Sequence, residues 1–348
     1  MTQNRPTRVG IVGASGYAGE ELVRLLLGHP RVELSLVTSR QYAGKTLGEI
    51  FPRFAHHPRA QALKFVEPEL SRTREQSDIV FLALPHGVSA EIGGSLVDTG
   101  SRVIDLSADF RLRDASVYKE FYGQEHARPD LLAGAVYGLP EIYRREIVEA
   151  KLVACPGCYP TSILLPLLPL VRSGLVDADR ILVASLSGVT GAGRKVEPDY
   201  LFAECNESMR PYGVPKHRHL SEIEQELAKV AGRKMAVQFT PHLVPLNRGI
   251  VSTIYCDLVG PPDDEAISVL FREAYGSEPF VRLLGRKQLP DTKNVALTNF
   301  IDIGWRIDPR TRRLVVMSAI DNLTRGTSGQ AVQCLNLMRG YAEREGLA

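Results

Sequence analysis

Arg8-Val9-Gly10-Ile11-Val12-Gly13-Ala14-Ser15-Gly16-Tyr17-Ala18-Gly19 decides how the first half of this chain is read. Its opening residues are a short apolar strand and its close is a glycine-rich turn. Leu22, Val23, Leu26 and Leu27 then follow at the spacing of one helix face. The helix is expected to stop at Gly28, with Pro30 just beyond. Further strands are expected over Val32–Val37, Asp78–Leu84 and Arg102–Leu106, with a helix over Val88–Val97. Strands alternating with helices indicate parallel βαβ units, a Rossmann-like α/β domain.

The pattern changes near residue 156. Arg180–Ser187, Met235–Thr240, Gly249–Leu258, Val295–Trp305 and Arg313–Ile320 read as long strands with few helices between them. This is an α+β pattern with a mainly antiparallel sheet. The expected division is a nucleotide-binding domain over 1–156 and a catalytic and oligomerisation domain over 157–328. The segment 329–348 contains a helix, with Val332, Leu335 and Met338 on its apolar face, that returns to the first domain.

Gly13-x-x-Gly16-x-x-Gly19, after a strand and opening a helix, is a variant of the dinucleotide-binding turn. Glycines there let the backbone approach a pyrophosphate, and the N–H groups of the helix start hold it. Ser15, Tyr17 and Ala18 lie within the same turn. An NAD site ends its second strand with a carboxylate for the ribose; here the end reads Thr38-Ser39-Arg40. A hydroxyl and a guanidinium at Ser39 and Arg40 suit a 2′-phosphate, so NADP(H) is the expected cofactor. Ala83-Leu84-Pro85-His86-Gly87 follows a buried strand at the strand tips facing that cofactor, with Pro85 against it and His86 shaping the loop.

Val153-Ala154-Cys155-Pro156-Gly157-Cys158-Tyr159-Pro160-Thr161 places Cys158 between a short strand, Lys151–Ala154, and an apolar helix expected to start near Thr161. A thiol at a helix entry feels the positive end of the helix dipole, which favours the thiolate. Beside a nicotinamide, such a thiolate suggests attack on an acyl carbon, a thioester, and reduction to an aldehyde. The proton shuttle is sought in Lys216-His217-Arg218-His219. In extended chain His217 and His219 project to one side, and Ser221-Glu222-Ile223-Glu224 resembles a capping box just after them. Either histidine can serve as acid and base. No third ligand has suitable spacing, so no metal site is expected. Cys155 and Cys158 form a Cys-x-x-Cys, read either as a redox pair or as a small residue ending a strand.

Bulk properties set limits. The 348 residues suffice for two domains, and a formal charge of +2 without basic or acidic blocks argues against a nucleic-acid partner. The longest apolar run, Ile163–Val171, is too short to span a bilayer and carries two prolines. Five cysteines without framework spacing, and a polar start that leads directly into a strand, point to the cytoplasm.

Together these features resemble the N-acetyl-γ-glutamyl-phosphate reductase family of the aspartate-semialdehyde dehydrogenase superfamily. The resemblance rests on the glycine turn 13–19, Asp105-Leu106-Ser107-Ala108-Asp109-Phe110-Arg111, Ala135-Val136-Tyr137-Gly138-Leu139-Pro140-Glu141, Pro156-Gly157-Cys158-Tyr159-Pro160-Thr161, His217-Arg218-His219 and Asp321-Asn322-Leu323. It implies that Cys158 is the nucleophile and that the histidine segment supplies the acid–base group. It also implies that Ser187-Gly188 begins a glycine loop near the cofactor and that Asn322 lies beside the nicotinamide. Arg111 is the candidate anion clamp for the substrate, unless it pairs internally with Asp105 or Asp109; Arg248 is a second candidate. The implied reaction is NADPH-dependent reduction of N-acetyl-γ-glutamyl phosphate in arginine biosynthesis, by a homodimer or homotetramer joined through the second-domain sheet. Two rivals are a reductase of carrier-protein-linked aminoadipyl phosphate in lysine biosynthesis and a non-catalytic NADP(H)-binding redox sensor.

Overall fold

A computed structural model describes residues 5–194, 196–261 and 263–347. They divide into two compact units, one running up to Pro156 and resuming at Thr327, the other spanning Gly157–Gly326.

The first unit is a seven-stranded sheet of β1 (Thr7–Val12), β2 (Val32–Thr38), β3 (Phe65–Val66), β4 (Ile79–Leu82), β5 (Arg102–Asp105), β6 (Val136–Tyr137) and β7 (Leu152–Ala154), in the order β3-β2-β1-β4-β5-β7-β6. Every pairing is parallel. Its strands read as unbroken apolar runs because both faces are covered: Ile79, Val80, Phe81 and Leu82 are all fully buried. The chain leaves β1 to build one side of the sheet, then crosses to β4 for the other. The crevice at such a reversal, outside the carboxyl ends of β1 and β4, is where ligands bind in this architecture. The helix Ser89–Asp98 falls within a residue of its expected place. The helix Gly329–Arg339 belongs to this unit; Asn336 Oδ1 lies 2.9 Å from His29 Nε2, and the Met338 carbonyl accepts from Arg102 at 2.8 Å.

The second unit holds a mixed, mainly antiparallel sheet of β8 (Val176–Ser187), β9 (Arg210–Pro211), β10 (Gln238–Leu243), β11 (Ile250–Leu258), β12 (Val281–Gly285), β13 (Ile301–Asp308) and β14 (Arg313–Ile320), in the order β12-β13-β14-β11-β8-β10-β9. Two departures from the sequence reading stand out. β13 begins at Ile301 rather than Val295, because Thr292–Asn294 form a 3₁₀ turn and Leu297 adopts a φ of +62°. A helix at Asp264–Tyr275 and strand β12 also fill what read as a gap. That helix has a full signature, with Asp263 capping Glu265 N and Ala266 N and with Ile267, Phe271 and Tyr275 buried at fourfold spacing.

The helix that positions the nucleophile runs Cys158–Ser173 and is buried along almost its whole length. It contains Pro166 and Pro169, each of which strips an acceptor of its helical partner four residues earlier. Side chains from other elements fill both gaps. Ser318 Oγ donates to the Ser162 carbonyl at 2.6 Å, and Tyr275 Oη to the Leu165 carbonyl at 2.6 Å. A buried chain of hydroxyls, Ser162 to Ser252 at 2.8 Å and Ser252 to Ser185 at 2.7 Å, pins the same helix to β11 and β8. The prolines therefore leave no buried carbonyl unsatisfied at these two positions, and the helix start is held in register against the sheet.

Candidate active site

Pro160 does not delay the helix. It starts at Cys158, three residues before the expected place, because the first-turn N–H groups have no intrahelical acceptor and a proline costs nothing there. Gly157 is the N-cap, Thr161 Oγ1 donates to its carbonyl at 3.1 Å, and its own N–H donates to Glu222 Oε2 at 3.0 Å. Glu222 is fully buried, so this bond ties the helix start to the neighbouring helix, Leu220–Ala231. Cys158 itself is half-buried and forms no disulfide. A Cβ on Gly326 would lie 2.7 Å from Cys158 Cβ, so only glycine fits beside the nucleophile.

His217 and His219 come together by a turn rather than by the alternation of an extended strand. His217 Nδ1 accepts the backbone N–H of His219 at 3.1 Å, and His219 is the N-cap of Leu220–Ala231. The expected capping box at Ser221–Glu224 is therefore not at the helix end. Ser221 Oγ donates to the Arg218 carbonyl at 2.7 Å, and Glu224 Oε1 accepts from Val237 N at 3.0 Å. The two rings sit 5.0 Å apart in very different settings. His217 lies edge-on to Tyr159, Tyr212 and Phe239 at 5.4, 5.4 and 5.6 Å. Burial there, reinforced by the Arg218 charge, pushes its pKa down to about 4. His217 is thus neutral near pH 7, and the bond into Nδ1 leaves its proton on Nε2. His219 instead lies over the α-carbon of Gly157: a Cβ there would meet its Nε2 at 2.5 Å. Cys158, both histidines, Ser187 and Gly188 line one pocket.

The depressed pKa carries a stability consequence. Between pH 6.5 and 4 the unfolded chain holds a proton on His217 that the folded chain does not, so stability is full above this window and falls through it on acidification. The expected loss is up to about 3 kcal/mol. His217→Asn, whose Oδ1 can replace Nδ1 as acceptor, is expected to flatten the part of the slope lying between pH 6.5 and 5 in thermal melts. Parallel slopes for the two proteins would contradict this.

Asn322 follows β14; its Oδ1 accepts Gly249 N at 2.7 Å and its Nδ2 donates to Thr190 Oγ1 at 3.0 Å. Gly191 packs beside its amide. Arg248 is committed elsewhere, to the fully buried Asp321 at 3.1 Å. Arg111, in the first unit, is nearly buried and donates from Nη2 to the Leu106 carbonyl at 2.9 Å. Asp109 accepts from Gly87 N, Ala90 N and Tyr118 Oη, which fixes the loop after β4. His86, packed edge-on to Tyr122 at 5.5 Å, belongs to that loop. The pocket wall at Tyr200, Arg210 and Tyr212 was not singled out from sequence. Its one signal is a charged and an aromatic residue two apart, Arg210 on the two-residue strand β9 and Tyr212 just after it.

The glycine turn of the first unit fits a dinucleotide phosphate. Gly13 has a φ of +86°, and a Cβ there would lie 2.7 Å from the Ala83 carbonyl, so the turn passes tightly against the chain after β4. Gly16 caps the helix Tyr17–Leu27 and faces open space. Gly19 brings that helix onto the Ala14 backbone. Ser39 Oγ donates to Ser15 Oγ at 3.3 Å, Arg40 is exposed at the end of β2, and Pro85 is exposed after β4. Cys155 is fully buried at the end of β7, with its N–H on the Asp105 carbonyl at 2.8 Å. Among the described residues no three potential metal ligands cluster, and no helix is long and apolar enough to cross a membrane.

Residues 8–150 match the family model for the semialdehyde dehydrogenase NAD binding domain, and residues 158–322 the semialdehyde dehydrogenase dimerisation domain. An N-acetyl-gamma-glutamyl-phosphate reductase of Akkermansia muciniphila is 55% identical over 344 residues, 99% of each chain. The chain belongs to the N-acetyl-γ-glutamyl-phosphate reductase family. A reductase of the same name from Pelotomaculum thermopropionicum is 50% identical, covering 98% of this chain and 97% of that one. Aspartate semialdehyde dehydrogenase II of Vibrio cholerae superposes with a TM-score of 0.73 at 18% identity, over 97% of this chain and 100% of that one. The Candida albicans aspartate semialdehyde dehydrogenase solved with NADP gives 0.73 at 17%, over 96% and 98%. These two likenesses carry the fold. Cys158, Tyr159 and the histidine turn of this chain line one pocket.

Proposed function

We propose that this protein reduces N-acetyl-γ-glutamyl phosphate to N-acetylglutamate semialdehyde and phosphate with NADPH, the reaction that arginine biosynthesis requires. The observation that carries the reading is a half-buried thiol at the first residue of a buried helix, in one pocket with a histidine packed on the residue before it.

The helix dipole and the first-turn N–H groups favour the Cys158 thiolate. His219 takes the thiol proton. The thiolate then adds to the acyl carbon, the carbon–oxygen bond to phosphate breaks, and a thioester on Cys158 remains. When bound, NADPH supplies the hydride that takes this carbon to the aldehyde level. N–H groups at the helix start offset the oxyanion, and His219 returns its proton as the carbon–sulfur bond breaks and the aldehyde departs. His217, neutral and caged by aromatic rings, orients His219 through the bond into its Nδ1. Ser187, Gly188 and Asn322 form the loop wall that receives the nicotinamide, and Arg111 offers a guanidinium to an anionic group of the substrate.

Gly13, Ser15, Gly16, Tyr17 and Ala18 hold the pyrophosphate, Pro85 lines the crevice, and Ser39 and Arg40 take the 2′-phosphate. Arg40→Ala is accordingly expected to raise KM for NADPH by roughly tenfold or more while leaving that for NADH nearly unchanged. Equal effects on both cofactors would remove Arg40 from this role. Assembly runs through the outer face of the second sheet, as a homodimer or homotetramer in the cytoplasm. Leu182 and Tyr255, 38% and 39% exposed, stand side by side there, with Val315 opposite Tyr255 on the next strand. The carrier-linked aminoadipyl alternative is not favoured, because the relatives bear the acetylglutamyl name.

The test is reduction of NADP⁺ with N-acetylglutamate semialdehyde and inorganic phosphate. Turnover that requires phosphate supports the reading; turnover only with a carrier-linked aldehyde overturns it.

A further inference from the structure

The helix Tyr17–Leu27 carries the glycine turn at its start and one wall of a second cavity toward its end, about 16 Å away at the rise of an α-helix. This cavity lies wholly in the first unit and has a volume of about 370 Å³, the size of a small-molecule site. Its basic side chains are Arg24, Arg53, His56 and His57, and its apolar ones are the buried Leu27 and Phe54. Among the described residues no acidic side chain lines it. The proposed reaction uses none of these groups.

Both guanidiniums are anchored by carboxylates outside the lining. Arg24 Nε and Nη2 donate to Oε1 of the fully buried Glu21 at 3.1 and 2.7 Å, so Nη1 is the end left for a ligand. Arg53 pairs with Glu20 through Nε at 3.1 Å and lies 4.6 Å over the Phe54 ring, which leaves both of its Nη groups. His57 Nδ1 accepts the backbone N–H of Arg59 at 3.3 Å, so its proton stands on Nε2 as a further donor. One fork satisfies the two oxygens of a carboxylate, whereas donors on three separate side chains suit the three oxygens of a phosphate. Leu27 and Phe54 give an apolar floor to the body that carries it. Glu20 links this cavity to the cofactor turn. It stands in the first turn of the helix, two residues after Ala18, on one face with Arg24 and Leu27. A phosphate that takes over Arg53 weakens the neutralisation of the Glu20 carboxylate beside the pyrophosphate, and like charges repel. We infer that the cavity binds a small phosphate monoester with an apolar or flat body, and that its occupation weakens NADPH binding through Arg53 and Glu20. The second half rests on the proposed pyrophosphate site at the glycine turn.

The probe is phenyl phosphate, with its binding to the full chain read by calorimetry at fixed ionic strength and NADPH affinity read from NADPH fluorescence. Arg53→Gln is expected to weaken phenyl phosphate by about tenfold or more, the scale of a lost bond to a charged group, and phenol is expected not to bind. Binding of phenyl phosphate that Arg53→Gln leaves unchanged overturns the site, as does phenol binding with equal affinity. Saturating phenyl phosphate is expected to raise the NADPH Kd by about two- to fivefold and then level off, the scale of a partly exposed ion pair. Glu20→Gln is expected to abolish that rise. A rise without a plateau that survives in Arg53→Gln is competition at the cofactor's own phosphate contacts and overturns the coupling. If the wild type binds no NADPH, the cofactor reading fails and the coupling with it, while calorimetry still decides the Arg53-dependent site.

Discussion

Cys158→Ala is expected to lower turnover by about 10⁴-fold or more, the scale on which enzymes lose a covalent nucleophile, while NADPH binding stays close to wild type. Both halves follow from where the residue stands. The sulfur is the group that forms and releases the thioester, and among the described residues no other cysteine lines its pocket. The side chain takes no part in the glycine turn, Ser39 or Arg40, which lie in the other unit. Alanine keeps the helix start, because Gly157 remains the N-cap and its bond to Glu222 does not involve the thiol. Binding would be read from the fluorescence of NADPH and turnover from phosphate-dependent NADP⁺ reduction. Residual activity near wild type would exclude the thioester route, and loss of NADPH binding by a folded variant would contradict the division of labour.

His219→Asn is expected to cost about 10²- to 10⁴-fold in kcat, the span of a lost general acid–base group. Asparagine is a good N-cap, so the helix Leu220–Ala231 keeps its start, yet an amide cannot carry the proton. His217→Asn is expected to cost about tenfold or less, because the wild-type ring is already neutral at working pH and its acceptor is replaced. The sequence left these histidines equivalent. The assignment to His219 would be overturned if His217→Asn gave the larger loss.

Much of the fold can be read from local chemistry. The turn at Gly13 announces itself because only glycine is comfortable at its φ and that close to the Ala83 carbonyl. The strands of the first sheet are visible as apolar runs because both faces are buried. The helix at Cys158 begins three residues before the start its sequence suggests, since Pro160 looks like a breaker until its position in the first turn is known. Helix Asp264–Tyr275 and strand β12 fill what reads as a gap between longer strands.

The nucleophile and the two histidines were legible because each is a residue type with few bland uses at its spacing. Their unequal status was not, because it comes from neighbours distant in the chain. Phe239 and Tyr159 close on His217 from β10 and from the nucleophile's own helix, and their burial of the ring holds it neutral. The wall at Arg210 and Tyr212 was equally silent: its stretch has no periodicity, and a two-residue ladder to β10 with one hydroxyl contact to Tyr159 sets its place. Periodicity, turn chemistry and residue type report what a segment does by itself, and they were enough for the family, the architecture and the thiol. A ring's proton affinity, and which guanidinium shares a pocket with the sulfur, depend on desolvation and through-space contacts that exist only once the strands and helices have packed.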